Sequence, residues 1–394
     1  ARVAAPLLVV GGYVRDLLLG KVPDDLDLAI CLADCSPDVT VAALVARMPA
    51  FAEANPSLHV AKIKITTILS DEAKNKQLDT VKCHFTVDAP GAAVGASPKT
   101  IRIEVDVMPT IGEEVYDDDN RVPRRNERGT VDADALRRDL TIGALFLQVE
   151  EQQSSASEAR LNYRLVDLYG GVADLHAGVL RSPVPRHGSA ELAQQVAHLF
   201  SSPADRARAL DLGLAADRAE AITVAGAQVL WWIKVLRDDP LRLVRALRFA
   251  AKLSFRLHEA FWTAIPFANQ ALRGKVAGNR KLAEILKIAK YGPERLRSFL
   301  LLAFSRRFAT GVGDAALGRG EAAEKESVLA PALFGGVPVT PSKKGRKSGK
   351  SGKSGEAAGG GATKTAAAAA GASSLCTLPP VAEFDRGAFQ QLCA

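Results

Sequence analysis

Asp25 and Asp27 are the residues whose type and spacing first promise chemistry. They stand two apart in Asp25-Leu26-Asp27-Leu28-Ala29-Ile30, a run that is apolar at alternate positions from Leu26. Such alternation predicts a strand, and residues i and i+2 of a strand project from one face. Two carboxylates held that close suit a shared divalent cation, Mg²⁺ above all. The ion would activate an attacking hydroxyl and neutralise charge on a transferring phosphoryl group. The run Ile101-Arg102-Ile103-Glu104-Val105-Asp106 alternates in the same way and offers Glu104 or Asp106 as a third carboxylate. Asp106 joins Asp25 and Asp27 in the expected catalytic set, with the choice between it and Glu104 open. An acidic pair on a strand is more often a solvated face, so the pair needs company before it means a metal.

That company lies about a dozen residues upstream. Leu7-Leu8-Val9-Val10 reads as a short buried strand, and Gly11-Gly12 then opens Tyr13-Val14-Arg15-Asp16-Leu17-Leu18-Leu19-Gly20, a helix stopped by Gly20. Glycines let backbone approach a phosphate, the helix start supplies unpaired N–H groups, and Arg15 adds a charged fork one turn inside. Gly11, Gly12 and Arg15 are the expected triphosphate seat, with Asp16 stabilising the helix or orienting Arg15. Arg137-Arg138-Asp139 falls in a stretch, 132 to 146, that reads as a helix. Paired helix arginines are usually solvated, but beside a phosphate seat one would touch the triphosphate or the ribose.

Asp239, Arg242 and Arg245 recur every three residues on a strongly periodic helix expected over 239 to 256. As a set they would read a base: a carboxylate accepts from an exocyclic amine while an arginine donates to the ring acceptor beside it. Cytosine and adenine present that combination, and uracil and guanine do not at the matching positions. The bland alternative is a helix salt bridge worth about 0.3 to 0.5 kcal/mol.

The elements that must hold these groups come from a chain of 394 residues with 47% hydrophobic content, enough for a sizeable core and more than one domain. Strands are expected over 58 to 69, 101 to 108 and 165 to 168, a helical stretch near 37 to 54, and a loop over 89 to 98. The polar stretch 150 to 158 reads as a solvated insertion, and 189 to 236 as an Ala/Leu-rich helical block. Cysteines at 31, 35, 83, 376 and 393 are odd in number and form no C-x-x-C, and no histidines stand as H-x-x-x-H. Neither a disulfide framework nor a structural zinc site is supported, which points to a reducing compartment. Residues 340 to 370 hold seven Lys/Arg and one Glu, so +6 of the formal +7 lies in a low-complexity basic stretch. The remainder is near neutral, and any nucleic acid must be held by local arrangement of basic groups. No apolar run reaches the roughly 18 residues of a membrane span; the longest, 224 to 236, is interrupted by Gln228 and Lys234. No membrane association is expected.

Taken together, the segments resemble the class II tRNA nucleotidyltransferase and poly(A) polymerase superfamily, and within it the eukaryotic CCA-adding enzymes. The resemblance rests on Gly11 through Gly20 with Asp25-Leu26-Asp27, on Arg121-Val122-Pro123, and on Gly129-Thr130 through Asp134 to Arg137-Arg138-Asp139-Leu140-Thr141-Ile142. It continues with Asp167-Leu168-Tyr169-Gly170-Gly171-Val172-Ala173-Asp174-Leu175 and with Asp238-Asp239-Pro240-Leu241-Arg242 to Arg248-Phe249. These stand in family order between residue 7 and about 290. The implied fold is α+β: a nucleotidyltransferase head with a small mixed sheet (1–183), a helical insertion (184–236), a helical neck and body carrying the base-recognition helix (237–310), and a divergent low-complexity tail (311–394).

The resemblance further implies Asp25 and Asp27 as metal ligands and Gly12 with Arg15 on the triphosphate. Arg137 or Arg138 with Asp139 would position the nucleotide, Asp239 and Arg242 would pair with the base, and Arg245 and Arg280 would be further basic positions near nucleotide and neck. The implied reaction is attack by a tRNA 3′-hydroxyl on the α-phosphate of CTP, twice, and then of ATP, with pyrophosphate leaving. An intracellular setting is implied: cytoplasm, mitochondrion or nucleus. Two other readings stand beside this one, a poly(A)-adding member of the superfamily and a catalytically weak RNA-binding homologue. The second draws on Gly143, which occupies a position where the family has Asn.

Overall fold

The computed structural model describes residues 5–23, 25–68, 80–88, 100–116, 125–151, 161–186, 196–200, 202–214 and 222–304, with Pro123, Leu192, Ala332 and Leu333. Alternating apolar residues build its first half. β1 (Leu7–Val10) and α1 (Gly12–Leu18) lead to β2 (Leu26–Ile30), two short helices α2 (Val41–Val45) and α3 (Met48–Ala54), then β3 (Val60–Ile68), β4 (Thr80–Asp88) and β5 (Thr100–Pro109). A hairpin of β6 (Ile111–Val115) and β7 (Arg125–Arg128) follows, then α4 (Val131–Leu136), β8 (Leu145–Glu151), β9 (Leu161–Asp167), α5 (Gly171–Ala177) and the short β10 (Val179–Leu180).

One seven-stranded sheet takes the order β3-β4-β5-β2-β1-β8-β9. All its neighbours are antiparallel except β2 and β5, which run parallel. Strand alternation makes the two faces of the β3–β5 region unlike. Val81, Cys83, Val105 and Val107 are buried with Val41 and Val45 of α2 in one cluster. Lys62, Lys64, Lys82, His84, Arg102, Glu104 and Asp106 fall on the opposite, wetter face. Toward β1 that face is covered: Leu8, Val10 and Ala29 pack with Ala135 of α4 and Phe146 of β8. The site lies where the covered and open areas meet.

The second half is helical: α6 (Pro203–Asp211), α7 (Val224–Asp238), α8 (Leu241–Leu253), the short β11 (Arg256–Leu257), α9 (Glu259–Lys275), α10 (Gly278–Ala289) and α11 (Pro293–Ala303). β11 pairs in parallel with β10, stitching the halves together. Trp232 of α7, fully buried, meets Phe261 of α9 edge-on at 5.2 Å between ring centroids. One continuous core joins Val9, Val14, Ile142 and Leu145 of the first half to Trp232, Leu236, Leu243 and Leu247 of the second. Among the described residues no helix is long and apolar enough to cross a membrane.

Several sequence expectations need correction. The stretch 37 to 54 is two helices, because Pro49 has no N–H to give and restarts the chain in the first turn of α3. The helix expected over 132 to 146 stops at Leu136; after a turn and one 3₁₀ turn, Leu145 begins a strand that pairs with β1. Strand β4 has no counterpart among the expected elements, although Val81 and Cys83 alternate with Lys82 and His84 as a strand should. Glu150 and Glu151 belong to β8, and the rest of the expected polar insertion, 152 to 158, lies outside the described residues, as do the loop 89 to 98, Arg121-Val122 and nearly all of 311–394. The helix expected from 239 starts at Leu241, leaving Asp239 at the corner between α7 and α8.

Candidate active site

The central carboxylates are set by strand register. Asp27 pairs with Val10 of β1 on one side and with Asp106 of β5 on the other, so Asp27 and Asp106 project from the same face of adjacent strands. Gly11 adopts φ 75°, a conformation that favours glycine, and a Cβ there would lie 3.4 Å from Asp27 Oδ2. The glycine turn therefore closes directly against the carboxylate. Asp25 stands just before β2 and is exposed to solvent. Glu104 sits one pleat from Asp106 and outside this group; its side chain is exposed and meets Lys82 at 3.1 Å and His84 at 3.7 Å.

Charge accumulates at this point. Burial pushes the Asp27 carboxyl above the usual carboxylate range, and the negative charges of Asp106 and Asp25 push it further, against a smaller pull from Arg138 and Lys82. Asp106 Oδ1 is buried and accepts no hydrogen bond. Lys82 Nζ lies 2.8 Å from it and forms an ion pair with it. Carboxylates crowded enough to raise the Asp27 carboxyl fit a divalent cation. Among the described residues no three His, Cys, Asp or Glu side chains form a ready metal cage. An ion here would take its remaining ligands from substrate phosphates and water, as a small hard cation commonly does.

Arg15 is nearly fully buried. Its Nε and Nη2 donate to the two oxygens of Asp16, both at 2.8 Å. Burial works against the ionised Asp16, but the Arg15 hydrogen bond and charge hold its carboxyl below the usual range. The guanidinium folds back over Gly12, where an added Cβ would come within 3.2 Å of Nη2, and lies 5.2 Å from the Phe249 ring centroid of α8. Asp16 thus orients Arg15 across the glycine turn.

The end of α4 and the turn after it supply an arginine pair. Thr130 caps the helix, its hydroxyl accepting from the Ala133 N–H at 3.2 Å. One turn in, buried Asp134 accepts from Arg137 through Oδ1 (2.7 and 2.9 Å), from Arg138 through Oδ2 (2.6 and 3.1 Å), and from the Ile111 N–H at 3.0 Å. Arg138 also donates to the Gly143 carbonyl at 3.1 Å and lies 4.8 Å from the Phe146 ring centroid. It is thereby locked close enough to Asp27 to stabilise its charge.

Asp239, Arg242, Arg245 and Asp139 converge on a cavity of about 280 Å³, lined also by Glu114, Tyr116 and Pro123. Asp239 Oδ1 accepts from the Leu241 N–H at 3.1 Å, which fixes the carboxylate at the start of α8. Buried Arg242 donates through Nη2 to Glu114 Oε2 and to the Tyr116 hydroxyl, both at 3.2 Å. Arg245 Nε donates to Asp139 Oδ2. Burial opposes ionisation of Asp139, but Arg245 and then Arg242 hold its carboxyl down to about 2. Arg280 does not reach this cavity. The buried residues of α10 are Lys281, Glu284 and Ile288, which leaves Arg280 exposed on the helix's solvent side.

With this geometry in place, the similarity to known proteins is direct. Residues 7–181 match the family described as the poly A polymerase head domain. Among curated relatives, the mitochondrial CCA tRNA nucleotidyltransferase of Candida glabrata is 26% identical over 300 residues, 75% of this chain and 41% of the relative. That of Saccharomyces cerevisiae is 26% identical over 299 residues, 75% of this chain and 40% of the relative. The chain thus spans about two fifths of the length of these relatives. A solved tRNA-processing enzyme with CTP superposes at a TM-score of 0.40 and 18% identity, over 77% of this chain and 53% of that one.

Asp134, Glu114 and Tyr116 line or brace this candidate site, and the sequence reading assigns none of them to it. Asp134 leaves a signal, since it stands three and four residues before two arginines in a stretch that reads as helical, the spacing at which side chains meet. Glu114 and Tyr116 leave none, because the arginine they touch lies 128 and 126 residues further along the chain.

Proposed function

We propose that this chain is a template-independent CCA-adding tRNA nucleotidyltransferase, transferring CMP, CMP and AMP from CTP and ATP to a tRNA 3′ end. The observation that carries this reading is the base-sized cavity framed by Asp239 and Arg242 in the same fold as the Asp27–Asp106 pair. The fungal relatives support it by name. In this reading Asp25 and Asp27 would hold Mg²⁺, which would neutralise phosphate charge and lower the pKa of the attacking hydroxyl. The Gly11-Gly12 turn and Arg15 seat the triphosphate. Arg138, locked by Asp134, adds positive charge beside the reacting phosphate. Asp239 accepts from the exocyclic amine of cytosine or adenine, and Arg242 donates to the neighbouring ring acceptor. The bond from the tRNA 3′-oxygen to the α-phosphorus forms, the α–β bridging bond breaks, pyrophosphate leaves, and the Asp106 carboxylate takes the hydroxyl proton. We place the protein inside the cell, the mitochondrion included.

The test is a tRNA transcript lacking its 3′ end, incubated with the protein, Mg²⁺ and all four nucleoside triphosphates. Products should stop at three added nucleotides, C, C and A; longer tails or UMP incorporation would overturn the proposal. Asp27→Ala should lower the rate by about a thousandfold or more, since metal-centred charge stabilisation is worth several kcal/mol. The head family's own description and a relative named poly(A) polymerase I, from Salmonella typhi, 27% identical over 206 residues, favour a second reading, poly(A) addition. It predicts ATP-only, open-ended extension in the same assay. A non-catalytic RNA binder would retain tRNA and release no pyrophosphate.

A further inference from the structure

The guanidinium of Arg242 is held from behind. Its Nη2 donates to both Glu114 Oε2 and the Tyr116 hydroxyl, and Tyr116 in turn donates to Glu114 Oε2 at 2.7 Å. These three groups close a small ring of hydrogen bonds against one edge of the cavity. Among the described residues, no hydrogen bond is made by Nε or Nη1 of Arg242. A guanidinium is planar and rigid, so fixing one of its nitrogens fixes where the others point. Glu114 has a second hold: Oε1 lies 3.5 Å from Arg137 Nη1, and Arg137 is bonded to Asp134, which also clamps Arg138. The side chains of Glu114 and Arg242 are both only about a tenth exposed (10% and 11%), so neither charge is screened by water.

We infer that Glu114 and Tyr116, which hold Arg242 by hydrogen bonds at the edge of the cavity, are the positioning residues that set which hydrogen-bond pattern the pocket presents to a nucleobase. The inference rests on the nucleotidyltransferase reading above. Arg242 offers donors only, so its discrimination depends on angle. Swung free, it would donate to a carbonyl of uracil or guanine as readily as to the ring nitrogen of cytosine or adenine. The Glu114–Tyr116 ring supplies the restraint. The Glu114–Arg137 contact links that restraint to the clamp beside Asp27, so a base that displaces Arg242 also disturbs the arginines near the reacting phosphate.

The test uses the full chain with Glu114→Gln, Glu114→Ala and Tyr116→Phe, read as single-nucleotide addition with each of the four nucleoside triphosphates. Thermal melting checks folding, and binding of labelled CTP without RNA is measured separately. In the wild type kcat/KM for CTP should far exceed that for UTP. Glu114→Ala should shrink this ratio about tenfold or more, the usual scale for freeing a buried charged hydrogen bond, chiefly by raising the KM for CTP and lowering that for UTP. Glu114→Gln keeps the shape and one acceptor and should restore some of the loss. Tyr116→Phe should cost about threefold. If Glu114→Ala does not fold, Glu114→Gln and Tyr116→Phe carry the test. Unchanged CTP-to-UTP ratios in folded variants would overturn the inference and leave the function standing. A wild type indifferent to base identity would overturn the function itself.

Discussion

Asp27 serves two demands that oppose each other. Its carboxyl is raised by burial and by the neighbouring Asp106 and Asp25, so keeping it ionised opposes folding, whereas the proposed metal role requires the charge. The linkage has a definite sign. With a folded pKa above the unfolded one, Asp27 favours folding at acid pH, and that contribution is lost as pH rises through the folded value. Asp27→Asn should therefore melt higher than wild type at neutral pH while losing activity. The carboxyl is half-exposed, so solvent screening limits the gain to roughly 1 kcal/mol or less, about 2 to 4 °C in Tm. A divalent cation should raise the wild-type Tm and leave the variant unmoved; a variant that melts lower than wild type would refute the crowding argument. Asp139 has the opposite sign. Arg245 holds it to about 2, so its contribution is present above the ordinary carboxylate range and fades as pH falls toward 2.

The β6–β7 hairpin is the element that brings Glu114 to the cavity, and its closest point is glycine on glycine. A Cβ on Gly129 would lie 2.3 Å from Gly112 Cα and 2.4 Å from Gly112 N, backbone atoms that have no rotamer by which to yield. The Thr110 hydroxyl donates to the Gly129 carbonyl at 2.5 Å and pins the same spot from below. Gly129→Ala should cost about 1 to 3 kcal/mol in chemical denaturation and weaken the CTP-over-UTP preference by moving Glu114; a neutral result would show that the hairpin gives way elsewhere. The sequence spoke clearly wherever function and structure share a short range. Asp25 with Asp27, the Gly11-Gly12 turn and Asp239 with Arg242 are pairs no more than three residues apart, and periodicity or turn chemistry exposes them. It fell silent at Glu114 and Tyr116, whose partner arrives from a helix far along the chain. At 132 to 146 it misled, because Ala, Leu and Arg favour helix locally. There the chain turns so that Asp134 can face both arginines and Leu145-Phe146-Leu147 can join the sheet.

Head and helices share one core, and that unites their fates. Val9, Val14 and Leu145 belong to the same buried cluster as Trp232, Leu236 and Leu243. Polar ties run beside it: Arg245 of α8 to Asp139, and Arg248 of α8 to the buried Glu284 of α10 at 2.6 Å. Arg248 also lies 4.3 Å from the Phe249 ring centroid, the same ring that Arg15 approaches from the glycine turn. The proposed base-reading residues at the start of α8 therefore keep their distance from the carboxylates only while this common core is intact. Trp232→Ala, far from any proposed substrate contact, should remove about 3 to 5 kcal/mol of stability. Unfolding followed through tryptophan fluorescence and through far-ultraviolet circular dichroism should stay a single coincident transition in wild type and variant alike. Two separated transitions, with the head melting independently of the helices, would show that the shared core does not couple the two halves. The geometry of the cavity around Asp239 and Arg242 would then have to be held by the Arg242–Glu114 and Arg245–Asp139 contacts alone.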